Sequence, residues 1–270
     1  MDNRPIGVFD SGLGGLTAVK QIMKEFPNES VVYFGDTGRV PYGTRSHETI
    51  LRYTRDDINF IRSFDVKMII IACGTASSVS LPQVKHENPE IPITGVVDAT
   101  VYAAVRATKN KKIGIIGTSG TIKSGSYEGQ INEYDSEMQT FKMACPLFVP
   151  LVENGYFDTP VTKLVIEEYL KDIREAGVDT LILGCTHYPM LKKAIADYMG
   201  DGVTLIDPCA EVVQYLKKKL GQDMLHSEVK DKEQYRYFVS DDPSGFAEHG
   251  SAFLETPING QVEKIDIEKY

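Results

Sequence analysis

Apolar runs and amphipathic stretches alternate along the first hundred residues. Ile6-Gly7-Val8-Phe9 is a short apolar run that predicts a buried strand. A glycine-rich turn follows through Asp10, Ser11, Gly12, Gly14 and Gly15. Leu16, Val19, Ile22, Met23 and Phe26 then recur at helical spacing, predicting a helix over 16–26. Val31 to Gly35 predicts a second strand, 36–45 a loop with Pro41, Tyr42 and Gly43, and 46–64 a helix with Ser46 as N-cap. A third strand ends at Cys73. Strands alternating with helices imply a parallel sheet covered on both faces.

The pattern starts again near residue 97. It predicts a helix over 97–108, a strand over 111–116, a turn from Gly117 to Thr121 and then a polar helix. A strand over 138–143, an amphipathic helix over 161–176, the strand Leu181-Ile182-Leu183 and a strand over 203–206 follow. A helix over 210–220, a strand over 235–239 and a polar tail complete the chain.

Two segments share one grammar. In Met68-Ile69-Ile70-Ile71-Ala72-Cys73-Gly74-Thr75 and in Thr180-Leu181-Ile182-Leu183-Gly184-Cys185-Thr186-His187, an aliphatic run leads through a small residue to a cysteine and a threonine. Such runs are buried parallel strands, and open α/β sheets bind ligands beyond the carboxyl ends of their strands. The two cysteines lie 112 residues apart, and the turn Asp10-Ser11-Gly12 recurs 108 residues later as Thr118-Ser119-Gly120. Two anchors in one order at nearly one offset point to an internal duplication. The expected fold is α/β, with two similar domains, each a mainly parallel sheet flanked by helices, and an active site in the interdomain cleft. The expected domains are 1–96 with 208–270, and 97–207.

Bulk properties narrow the function. With 270 residues, 42% hydrophobic and 25% charged, the chain has the composition of a globular protein. A net charge of −9 argues against nucleic-acid or anionic-membrane partners. No basic, apolar leader precedes the first strand and no apolar run approaches ~18 residues, so the expectation is a cytoplasmic protein without a membrane span. Four cysteines without a CxxC pair or zinc-finger spacing imply reduced thiols and no metal.

The chemistry candidates each have a bland counterpart. Gly12-Leu13-Gly14-Gly15 breaks the GxGxxG pattern at Thr17, Asp36 is only loosely placed as a ribose-binding acid, and no phosphate-loop GxxxxGK[ST] exists. The glycines either let a helix N-terminus approach a small anion or permit tight strand-to-helix packing. A strand-end cysteine is usually a small buried hydrophobe. The matched pair and its polar neighbours favour function for Cys73 and Cys185, whereas Cys145 and Cys209, each beside a proline, are assigned to the core. His187 can pass a proton beside a thiol or be an ordinary hydrogen-bonding residue. Asp10 can be a site carboxylate or a helix N-cap. Glu153 is either a solvated helix end or a partly buried carboxylate of raised pKa.

Five segments in order, GVFDSGLGGLT at 7–17, YFGDTGRVPYG at 33–43, IIIACGTAS at 69–77, CPLFVPLVENG at 145–155 and LILGCTHYP at 181–189, resemble the cofactor-independent glutamate racemases of bacterial cell-wall synthesis. The resemblance spans nearly the whole chain. It implies Cys73 and Cys185 as catalytic acid/base residues, assisted by Asp10, Glu153 and His187. It implies Asp10, Ser11, Tyr42, Gly43, Gly74, Thr75, Thr118, Thr121, Thr186 and His187 as substrate-binding residues, glutamate as substrate, no cofactor and a homodimer. Many members carry asparagine after the first cysteine. Here it is Gly74, leaving a backbone N–H or a water to replace the amide.

The resemblance further implies that Cys73 deprotonates D-glutamate and Cys185 L-glutamate. One thiol must then start as thiolate and the other as thiol. A thiol of pKa ~8.5 is only a few per cent ionised at neutral pH, and a fall of ~1.5 units makes it half ionised. A helix N-terminus after each cysteine, or a charged His187, is the expected source of that fall. Thr75, Thr118, Thr121, Thr186 and the glycine-turn amides are the expected donors to the carbanion. Two other functions fit the same pattern: an aspartate or other amino-acid racemase, and a two-domain amino-acid-binding protein without chemistry.

Overall fold

The strands and helices of the computed structural model, which describes residues 2–219, 227, 234–258 and 262–270, fall into two runs. The first comprises β1 (Ile6–Asp10), α1 (Leu16–Glu25), β2 (Val31–Gly35), α2 (His47–Arg62), β3 (Met68–Ile71), α3 (Gly74–Glu87) and β4 (Ile93–Gly95). The second comprises α4 (Val96–Ala107), β5 (Lys112–Gly117), α5 (Ser119–Ser124), α6 (Ser126–Tyr134), β6 (Gln139–Ala144), α7 (Phe148–Glu153), α8 (Pro160–Glu175), β7 (Thr180–Gly184), α9 (Lys192–Met199) and β8 (Thr204–Ile206). Then come α10 (Pro208–Lys219), β9 (Tyr235–Val239), α11 (Pro243–Leu254) and β10 (Val262–Lys264).

The strands form a six-stranded sheet in the order β10-β9-β2-β1-β3-β4 and a four-stranded sheet in the order β6-β5-β7-β8. Every described pairing is parallel. The run β2-β1-β3-β4 and the run β6-β5-β7-β8 follow one plan, so β3, which leads to Cys73, and β7, which leads to Cys185, hold equivalent places. β9 and β10 extend the first sheet beyond β2.

Both cysteine-bearing strands are buried on two faces, which is why they read as unbroken aliphatic runs. Alternation along β1 sends Ile6 and Val8 to one apolar layer and Phe9 to another. The Ile6 layer continues through Cys209, Val212 and Val213 of α10 to Leu181 and Leu183, joining the two halves. Cys145 and Cys209 are fully buried in this layer, as expected of small hydrophobes.

Most expected elements form within one to three residues of their expected ends, and Ser46 caps α2 by accepting from the Thr49 N–H. Four points differ. The polar helix after Thr121 is two helices, α5 and α6, because Gly125 at φ 66° turns the chain between them. The expected helix after Cys185 is a 3₁₀ turn at Tyr188–Leu191 that leads into α9. The tail is not merely polar: α11 buries Phe246, Phe253 and Leu254 against the first sheet. The short β4 had no signal beyond Ile93-Thr94. Leu220, at the end of the helix expected over 210–220, lies outside the described residues. No described helix is long and apolar enough to cross a membrane.

Candidate active site

Cys73 stands just past the end of β3 and caps α3. Its Sγ accepts the Ala76 N–H at 3.5 Å, and its S–H donates to Ser11 Oγ at 3.6 Å. The thiol is 4% exposed. Burial pushes its pKa up to about 12, with the charge of Asp10 adding to the rise and the Ala76 N–H and Ser11 opposing it. The expected lowering by a helix N-terminus is therefore present but outweighed: removing the sulfur from water disfavours the thiolate more than one N–H favours it.

Cys185 is 7% exposed, and its surroundings differ. His187 Nδ1 lies 3.9 Å from its Sγ, and His187 Nε2 donates to Glu153 Oε1 at 3.2 Å. Burial alone would lower the His187 pKa, but the hydrogen bonds to Cys185 and Glu153, and the charges of Cys185 and Asp10, raise it to about 10. These partners favour the imidazolium. Glu153 closes α7 with its side chain 41% exposed, the solvated helix end of the two alternatives. A contact path therefore runs from a buried sulfur through a buried imidazole to a carboxylate in water.

Asp10 is fully buried behind this wall. It accepts from the Gly12 N–H at 2.9 Å and from Thr186 Oγ1 at 3.2 Å. Burial pushes its carboxyl pKa up, while the His187 charge, the Gly12 and Gly15 N–H groups and Thr186 pull it back. Three hydroxyls meet between the sheets: Thr75 Oγ1 is 2.8 Å from Thr118 Oγ1 and 3.4 Å from Thr121 Oγ1, and Thr118 and Thr121 are 3.1 Å apart.

Both cysteines face one cavity of about 320 Å³. Ser11, Tyr42, Gly43, Cys73, Gly74 and Thr75 line it from the first sheet's loops, and Thr118, Glu153, Cys185, Thr186 and His187 from the second's. The size suits a small molecule. Of the expected residues, only Asp10 and Thr121 stay off the wall, and both bond to residues on it. Tyr42 lends no hydroxyl: its O–H donates to Asp36 and Asp57, in a buried knot where Arg39 also pairs with Asp36, Asp56 and Asp57. Asp36, weighed above as a ribose-binding acid, is spent in that knot. An apolar part of the lining, Val40, Pro41, Pro146, Val149 and Pro150, escaped the sequence reading. Pro146, Val149 and Pro150 come from the run CPLFVPLVENG, and Val40 and Pro41 from YFGDTGRVPYG. Among the described residues no group of three or more His, Cys, Asp or Glu side chains is arranged to hold a metal ion.

Residues 11–216 match the Asp/Glu/hydantoin racemase family. The chain belongs to that family. A glutamate racemase of Geobacter metallireducens is 42% identical over 265 residues, covering 98% of this chain and 97% of its own. One of Chlorobaculum tepidum is 43% identical over 254 residues, covering 94% and 93%. The crystal structure of glutamate racemase from Francisella tularensis in complex with D-glutamate has a TM-score of 0.91 and 38% identity, with both chains covered completely. In this member of the racemase family the position after the first cysteine is tight: a Cβ on Gly74 would lie 2.5 Å from the Gly184 carbonyl oxygen.

Proposed function

We propose that the chain interconverts L- and D-glutamate without a cofactor, by proton transfer between two cysteines. The observation that carries this reading is that two buried thiols, from equivalent strand ends of two sheets, wall one cavity of about 320 Å³. Racemisation takes a proton from one face of the α-carbon and returns one to the other. One base cannot easily serve both faces of a fixed substrate, whereas two groups on opposite walls can.

In the L-to-D direction Cys185 takes the α-proton and Cys73 supplies one. Cys73 suits the donor role, because burial holds it as a thiol. His187, with Glu153 behind it, faces the Cys185 sulfur as an imidazolium and offsets the negative charge of the thiolate that takes this proton. The D-to-L direction starts from the state that this step leaves, Cys73 as thiolate and Cys185 as thiol, and the substrate ammonium brings the positive charge that favours a thiolate at Cys73. The carbanion is stabilised by hydroxyl and N–H donors in a water-poor pocket: Thr75, Thr118 and Thr186 directly, Thr121 and Asp10 by orienting them. Ser11, Tyr42, Gly43 and Gly74 complete the substrate contacts. The cavity lies between domains 1–96 with 208–270 and 97–207, the product serves peptidoglycan synthesis in the cytoplasm, and the working unit is a homodimer.

The test is α-proton exchange in deuterium oxide. Purified protein with no cofactor added should wash the α-proton out of both L- and D-glutamate and bring circular dichroism to zero from either side. Turnover of L-aspartate in preference to L-glutamate would assign another amino acid to the site. Binding without exchange would leave a ligand-binding protein, and a requirement for pyridoxal phosphate or loss of activity to a chelator would end the two-cysteine scheme.

A further inference from the structure

Four glycines face the opposite half of the molecule so closely that a Cβ on them would lie 3.0 Å or less from an atom across the gap. A Cβ on Gly74, in the first turn of α3, would lie 2.5 Å from the Gly184 carbonyl oxygen at the end of β7. One on Gly14, after β1, would lie 2.1 Å from Thr186 Oγ1 and 2.6 Å from His187 Nδ1. One on Gly43 would lie 2.6 Å from Thr118 Cβ, and one on Gly120 would lie 3.0 Å from Thr75 Cγ2 and 3.1 Å from the Gly43 carbonyl oxygen. None of the four has a positive φ, so backbone conformation does not demand glycine at any of them. The demand is for space, and in each case the space is taken by a residue carried on the other sheet. By contrast Gly129, in α6, has nothing within 4 Å of its missing Cβ.

These contacts ring the cavity. Thr75, Thr118, Thr186 and His187 belong to its wall, and Gly184 immediately precedes Cys185. We propose that Gly14, Gly43, Gly74 and Gly120 form a seam of main-chain approach between the two halves, and that this seam sets the separation of the Cys73 and Cys185 walls. They are positioning residues. Gly74 is the most exacting, because it meets backbone that cannot rotate away, whereas Gly14 and Gly43 meet side chains. The inference deepens the proposed two-cysteine reaction and rests on it for its kinetic arm only.

Alanine at each position supplies the test, with Gly129→Ala as the control. A misplacement near 1 Å costs a proton-transfer site about 10²-fold. Gly74→Ala should therefore lose about 100-fold in kcat while keeping the thermal midpoint of the parent within a few degrees, since the substitution lies outside the apolar layer that joins the two halves. Gly120→Ala, with the mildest overlap, should lose only a few fold, and Gly129→Ala nothing. Hydrogen–deuterium exchange, read by mass spectrometry, should quicken in peptides covering 118–122 and 184–188 in the seam variants and not in the control. Parental kcat and exchange in Gly74→Ala would overturn the proposal, as would activity losses that follow the midpoint instead of the overlap. If Gly74→Ala fails to fold, Gly120→Ala and Gly43→Ala decide by the same two readouts. If the parent fails to racemise glutamate, the functional reading falls, and the exchange arm alone still judges the seam.

Discussion

The two cysteine walls begin from nearly the same sequence and end in different chemistry. On both, an aliphatic strand delivers a sulfur to one cavity. After Cys73 the chain enters a full helix, and the sulfur meets an N–H and a hydroxyl but, among the described residues, no charged side chain within hydrogen-bonding reach. After Cys185 it makes a 3₁₀ turn, which brings His187 to the sulfur and onward to Glu153. The lesson is that a repeated strand supplies repeated geometry, while the few residues after it decide which sulfur is insulated and which is linked to solvent.

The largest effect should come from removing either sulfur. Cys73→Ser and Cys185→Ser should each lower racemisation by about 10³-fold or more, measured by circular dichroism, because neither wall can do the work of the other. Parental turnover by either variant would dissolve the comparison. Each variant should still eliminate a good leaving group from a substrate analogue of one enantiomeric series, and the two series should be opposite.

The linked wall can be probed next. His187→Asn should lower kcat/KM by about 10²-fold, in the range of a lost acid/base group. Enantiomers have equal free energies, so kcat/KM must fall equally in both directions. The asymmetry should appear instead in the α-deuterium isotope effect, raised more from the L-glutamate side. An equal rise from both sides would mean that His187 serves the whole cavity and not Cys185 in particular. Glu153→Gln should cost less, about threefold to tenfold, because water already reaches that end of the path.

The smallest signal is in stability against pH, read from urea unfolding. The His187 pKa is raised in the folded chain to about 10, so its contribution is complete below the unfolded value of ~6.5 and is lost as pH rises through about 10. His187→Asn should flatten that fall. The Cys73 pKa is raised to about 12, so the unfolded chain ionises first and stability falls further between ~9 and about 12. Cys73→Ser should remove that second decline and leave the first.

Much of this was legible in the chain because it depends on local pattern. Buried strands announce themselves as aliphatic runs, so β3 and β7 and the placing of their cysteines followed from the order of residues alone. The helix α3 was less visible: small and apolar residues such as Ala76, Ser77, Ser80, Leu81 and Val84 lie buried along it, leaving no clear amphipathic stripe. The 3₁₀ turn after Cys185 was missed because Tyr188-Pro189 starts a helix as readily as a turn. The apolar lining from Pro146 to Pro150 was missed because the run was weighed only for its carboxylate.

The sequence by itself determined the alternating α/β order, the doubling of the strand-turn unit and the two cysteines at strand ends, since hydrophobic period and turn chemistry act over a few residues. Only the tertiary structure decided that the two thiols share a cavity, that Tyr42 spends its hydroxyl on Asp36 and Asp57, and that burial raises the Cys73 pKa against its helix N-terminus. Those outcomes depend on which groups exclude water from which others, and residues far apart in the chain settle that only when they meet.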